Sequence, residues 1–113
     1  MNLGQKGEEL ACGFLVRQGL VLVEKNFRLR LGEVDLIMRE GETLVFVEVK
    51  YRSSHAFGGA LAAVTPRKQR KVKLVAEAYL QRFSEMPIVR FDVVGISPQG
   101  SGYRFDWVKG AFE

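Results

Sequence analysis

Hydrophobic residues recur at helical spacing at the start of the chain and then give way to short apolar runs. Leu10, Ala11, Phe14 and Leu15 lie three and four apart, which predicts a helix over residues 5–18 with Gly19 as its left-handed cap. Residues 20–24 predict a short strand that can run on through Arg28. Residues 33–39 and 43–51 predict two strands joined by a hairpin turn at Glu40-Gly41-Glu42. Residues 52–65, with Ser53, Ser54, Gly58 and Gly59, read as a mobile loop in which 60–63 can form one helical turn. Thr65 is a good N-cap and Pro66 a good first residue for a helix reaching about Phe83, with Val72, Ala76, Tyr79 and Phe83 as its apolar stripe. Pro87 closes the connection. Residues 88–96 predict a strand, Pro98 to Gly102 a turn, and 103–109 a last strand.

The order helix, three strands, helix, two strands predicts an α/β domain with a central mixed five-stranded sheet flanked by helices. The stretch between strands 43–51 and 88–96 is long enough for a parallel crossover. A length of 113 residues fits one domain over 1–113. With 47% hydrophobic and 27% charged residues, that domain can fold without a metal or disulfide staple. The single Cys12 allows no intramolecular disulfide and reads as a buried, inert thiol. The first ten residues are too polar for a signal peptide, and no apolar run is long enough to span a membrane. The expectation is a cytoplasmic protein without a membrane partner.

Net charge is +4, and its distribution says more than its size. Between Glu48 and Glu77 stand Lys50, Arg52, Arg67, Lys68, Arg70, Lys71 and Lys73, with no acidic residue among them. Such a block can supply counterion-releasing contacts to a phosphate backbone; a solvated helix face is the plainer reading.

Asp35 and Glu48 lie inside apolar strands, where acids are seldom buried unless paired or bound to a metal. Alternation puts Glu33, Asp35 and Ile37 on one face, and Phe46, Glu48 and Lys50 on one face of the next strand. A hairpin pairing Asp35 with Glu48 sets Glu33 opposite Lys50 and Ile37 opposite Phe46. A slip of one residue would separate the acids. Two close carboxylates stay ionised only beside a cation, and hard oxygen ligands suit Mg²⁺ or Mn²⁺. Lys50 could then orient or deprotonate an attacking water, or stabilise charge on a phosphate. A plainer alternative is a Glu48–Lys50 ion pair at a strand end, with Asp35 facing solvent.

Asp35, twelve intervening residues and Glu48-x-Lys50 resemble the PD-(D/E)XK nuclease motif, although Val34 stands where the motif has proline. A wider set of residues resembles the bacterial YraN family. It comprises Gly7-Glu8, Ala11, Phe14-Leu15, Asn26, Arg28, the segments 32–37 and 46–50, Lys68-Gln69, 90–93 and Ala111-Phe112. That family is regarded as a group of predicted endonucleases, similar to archaeal Holliday junction resolvases. The resemblance implies a restriction-endonuclease-like fold and a divalent-metal-dependent endonuclease acting on DNA, with branched or damaged structures among its targets. It implies Asp35 and Glu48 as metal ligands, Lys50 as the catalytic lysine, Glu8 as the helix carboxylate completing the site, and Gln69 as a polar residue reaching it from the later helix. By the same analogy the protein could be a homodimer. A non-catalytic nucleic-acid-binding module, or a nuclease that needs a partner, remains the alternative.

Several residues keep two readings. Glu8 could instead stabilise a helix N-terminus, and Gln69 could satisfy a buried backbone group. His55 could touch phosphate or lie exposed in its loop. Glu33 is an accessory carboxylate or a surface one, while Arg28 and Arg30 grip a backbone or merely carry surface charge. Asp92 reads as structural, paired with Arg90 or Arg104. Trp107 and the phenylalanines read as core.

Overall fold

The computed structural model describes residues 2–52 and 59–113. Residues 53–58 of the predicted loop, including Ser53, Ser54, His55 and Gly58, lie outside the described residues. Helix α1 (Leu3–Arg17) begins two residues before the predicted start. The reason is a capping box: the Asn2 side chain accepts from the Gln5 amide (2.8 Å), and the Gln5 side chain accepts from the Asn2 amide (3.3 Å). Gly19, at φ +102°, turns the chain out of the helix into β1 (Val21–Leu29), which takes the longer of its two predicted extents.

β2 (Gly32–Glu40) and β3 (Thr43–Tyr51) form the expected hairpin. A four-residue helix, α2 (Gly59–Ala62), follows, and Ala60 packs on Gly95 so closely that a Cβ there would lie 2.7 Å from the Ala60 Cβ. Helix α3 (Pro66–Leu80) starts as predicted, the Thr65 hydroxyl accepting from the Lys68 amide at 3.2 Å. It ends three residues before Phe83. Residues 81–83 tighten into i→i+3 hydrogen bonds, which swing Phe83 off the stripe and leave it exposed against Tyr79. β4 (Ile88–Gln99) and β5 (Gly102–Phe112) both run beyond their predicted ends.

The five strands lie in the order β1-β2-β3-β4-β5, with β3 and β4 parallel and every other pair antiparallel. This is the mixed α/β sheet the sequence predicts, and it is compatible with a restriction-endonuclease-like fold. α1 covers one face, where Ala11 and Leu15 meet Leu36, Met38, Val45, Val47, Val94 and Ile96. α3 covers the other, where Val72, Val75, Ala76 and Tyr79 meet Val34, Ile37, Leu44 and Phe46. Cys12 is buried and free on the α1 side. No helix among the described residues is long and apolar enough to cross a membrane.

Candidate active site

The predicted register holds where it can be read: Ile37 pairs with Phe46 and Leu36 with Val47. There the β2–β3 ladder stops, although β2 stays paired to β1 as far as Gly32 and β3 to β4 as far as Tyr51. Beyond that point the Val49 amide donates to the Asp35 side chain at 2.8 Å. The expected ladder pairs Asp35–Glu48 and Glu33–Lys50 do not form; Glu33 accepts instead from Arg28 on β1, at 2.7 Å.

The expectation that Glu33, Asp35 and Ile37 share a face is also corrected. Val34 and Ile37 both pack toward α3, and Leu36 packs toward α1. Period-two alternation therefore breaks at Asp35, which lies where helices from both faces reach it. The charges of Glu8 on α1 and Lys68 on α3 both act on its carboxyl.

Glu48 is 1% exposed and Asp35 8%. Burial pushes the Asp35 carboxyl up to about 6, helped by the charges of Glu8 and Glu33 and opposed by the Val49 amide and Lys68. Burial and the neighbouring Asp35 push Glu48 up to about 8, against Lys68, Lys50 and the Asp35 backbone amide. One Glu48 oxygen, Oε1, is buried without a hydrogen-bond partner. The other faces the Lys68 ammonium at 3.7 Å. The sequence places Lys68 among the basic residues offered to phosphate, not at the acids. Its place four residues before Val72 on the buried α3 stripe was the signal that it turns inward.

Lys50 is half-buried, two residues along β3 from Glu48, and beside Gly95 in the ladder. Glu8 is half-buried, brought near the sheet because its neighbour Gly7 packs on β3: a Cβ at Gly7 would lie 3.3 Å from the Tyr51 Cβ. Gln69 donates its amide to the Val64 carbonyl at 3.0 Å, the backbone-satisfying role that was one of its two readings.

Among the described residues no three His, Cys, Asp or Glu side chains gather as a metal-ligand set. Two do fit a hard divalent cation: Asp35 and Glu48 are adjacent, their burial opposes ionisation, and Oε1 lacks a partner. Magnesium commonly takes one or two protein carboxylates and completes its shell with water and phosphate. Asp35 and Glu48 would hold it.

Of the predicted phosphate contacts, Arg67, Arg70 and Lys71 are exposed on α3, and Lys73 is half-buried. Arg28 and Arg30 are exposed at the β1–β2 turn, next to α3: a Cβ at Gly32 would lie 3.8 Å from the Lys71 Cβ. Arg52 follows β3, its amide bonded to the Ile96 carbonyl at 2.8 Å. Asp92 proves to be structural, as read, with Arg90 and not Arg104 as its partner.

Relatives align along almost the entire chain. A UPF0102 protein of Herminiimonas arsenicoxydans is 46% identical over 111 residues, covering 98% of this chain and 86% of its own length. One from Methylococcus capsulatus is 44% identical over 110 residues, 97% of this chain and 89% of that protein. One from Shewanella frigidimarina is 46% identical over 112 residues, 99% of this chain and 100% of that protein. The profile of the uncharacterised protein family UPF0102 matches residues 7–96, a span that holds Glu8, Asp35, Glu48, Lys50 and Lys68. The chain belongs to that family.

Proposed function

We propose that this protein is a divalent-metal-dependent endonuclease of the PD-(D/E)XK type, related to the YraN group, that hydrolyses phosphodiester bonds in DNA. The observation that carries the reading is the buried Asp35–Glu48 pair with its unpartnered Glu48 Oε1. A buried carboxylate oxygen left without a donor is costly, and a site that binds a cation gives it a use.

The chemistry supplied by bound Mg²⁺ or Mn²⁺ is polarisation of the scissile phosphate and acidification of a water. Asp35 and Glu48 would hold the ion, with the Val49 amide fixing the Asp35 carboxylate. Lys50, on the same strand as Glu48, orients the attacking water or neutralises charge on the phosphate. Arg67, Arg70 and Lys71, with Arg28 and Arg30 beside them, bind the backbone without reading bases. Recognition then follows the shape of the substrate, as for branched or damaged DNA.

Lys68 favours a second reading. Its ammonium already stands by Glu48, where it can replace a metal and leave a nucleic-acid-binding module without catalysis. The deciding experiment is cleavage with Mg²⁺ or Mn²⁺ on labelled duplex, single-strand, flap and four-way-junction substrates. Asp35→Ala protein is purified in parallel. Cleavage by the wild type alone supports the nuclease. Salt-sensitive binding with no cleavage of any substrate selects the second reading.

A further inference from the structure

We propose that Asn26 is a positioning residue for Asp35, acting through its backbone. It is the one non-glycine residue among those described with a positive φ, +52°. Its neighbours fix its place: Lys25 pairs with Leu36 and Phe27 with Val34, so Asn26 falls opposite Asp35. Neither residue of that opposed pair belongs to the ladder.

Both strands lose their alternation at this point. On β1, Glu24 meets Arg82, and Arg82 also lies over the Phe27 and Tyr79 rings; Glu24 and Phe27, three apart, thus share the α3 side. On β2, Val34 and Ile37, again three apart, share that same side. A regular strand puts residues three apart on opposite faces. The register is kept across this point, since the shift in the β1–β2 pairing falls between Leu22 and Glu24; the left-handed turn at Asn26 resets the faces of β1 without adding a residue, and Asp35 is its counterpart on β2. Freed from pairing with β1, Asp35 turns to β3 and takes the Val49 amide at 2.8 Å. Asparagine and aspartate tolerate the left-handed region better than alanine, and β-branched residues tolerate it least.

The bearing of this device on catalysis rests on the function proposed above; the device itself does not. Asn26 also lines a hollow of about 240 Å³ with Gln5, Glu8, Glu9 and Lys25, so a role for its side chain must be separated from one for its backbone. Asn26→Gly removes the side chain and keeps the turn.

The test reads the Val49 amide by NMR in metal-free protein at one pH, in Asn26→Gly, Asn26→Asp, Asn26→Ala and Asn26→Val, with Asp35→Ala as the reference for a lost bond. Asn26→Gly is expected to keep the Val49 chemical shift and its exchange protection within about twofold. Asn26→Ala and Asn26→Val are expected to lose about tenfold or more in protection and to move the shift toward that of Asp35→Ala. If Asn26→Val does not fold, the order Gly, Asp, Ala carries the same information. A Val49 signal unchanged in Asn26→Ala, or lost equally in Asn26→Gly, overturns the proposal. Because cleavage is not the readout, failure of the nuclease reading leaves this result standing.

Discussion

Asp92 and Glu48 are both carboxylates buried within apolar strands, one step apart in a single parallel pairing: Asp92 opposes Val47, and Glu48 opposes Val93. Neither is more than 1% exposed. Asp92 shares the α1 side with Val47, while Glu48 faces α3. Their surroundings differ completely. Asp92 accepts from Arg90 Nε (2.8 Å) and Nη2 (2.9 Å), Trp107 Nε1 (3.0 Å) and the Gly110 amide (3.0 Å). It thereby bridges the irregularity where β5 carries extra residues between Val108 and Phe112. Arg90 in turn binds Glu40 at 2.7 Å, and with Lys109 holds the Glu40 carboxyl below its usual range. Glu48 has one oxygen without a partner and a lysine ammonium at 3.7 Å from the other. Burial alone therefore does not mark a functional acid. An acid supplied with donors fastens the fold, and one left short of them is the candidate for binding a cation.

The sharpest break of this comparison is a pair of isosteric changes. Glu48→Gln should lower metal-dependent cleavage about a thousandfold, the order expected for losing a main electrostatic element of the site. Its unfolding free energy in urea should stay within about 1 kcal/mol of the wild type, because the introduced amide resembles the neutral acid that burial already favours. Asp92→Asn should do the reverse. It leaves Arg90 short of its main counter-charge and should cost about 3 kcal/mol, read as a lower urea midpoint with unchanged slope. Equal stability losses in the two variants would remove the distinction.

Much of this contrast was open to the sequence, and its cause was not. Alternation placed Ile37 opposite Phe46, and Thr65-Pro66 located the start of α3, because both depend on local rules. The same alternation misled at Asp35, where the break lies opposite a left-handed residue on a neighbouring strand, a feature that local rules do not reach. Lys68 was hidden differently. Counted within a basic block it belongs to solvent, whereas on a helical wheel with Val72, Val75 and Tyr79 it belongs to the interior. Phe83 failed because the stripe was extended past a turn that hydrogen bonding tightens. The donors around Asp92 come from β4 and β5 and needed the fold to assemble; only Arg90 was legible.

The next effect is a fall in stability as pH rises from about 4 to about 8, which the Asp35–Glu48 side should contribute and the Arg90–Glu40 side, whose carboxyl is lowered, should not. Both carboxyls are raised in the folded state, to about 6 and about 8, so between these values and the unfolded carboxylate range near 4 the native state binds more protons. Stability is therefore fullest below about pH 4 as far as these two groups act, and it falls as pH rises through 6 and then 8. Each group can add a slope of up to about 1.4 kcal/mol per pH unit within its window. Mn²⁺ stabilises the ionised pair and should flatten that fall, so the thermal shift it produces should grow from pH 5 to pH 8. Melting curves across this range, with and without Mn²⁺, check the sign. A Glu48→Gln protein that keeps the full slope would place the titration elsewhere.

Lys68→Gln should give the smallest effect and the finest division between the two readings of the site. The Lys68 side chain is one-third exposed and its contact with Glu48 is long, so its loss should change stability by no more than about 0.5 kcal/mol. Its charge repels any cation arriving between Asp35 and Glu48, and repels a divalent ion more than a proton. Removing it should tighten Mn²⁺ binding severalfold, by about 1 kcal/mol or less, even though the Glu48 carboxyl then rises further. Calorimetry at pH 7.5 on the wild type and Lys68→Gln measures this directly. Tighter binding makes Lys68 a competitor that a metal displaces, and frees its ammonium to meet phosphate. Weaker binding makes Lys68 the support that holds Glu48 in place for the ion, and a site that needs its lysine to bind metal is not one in which the lysine has replaced the metal.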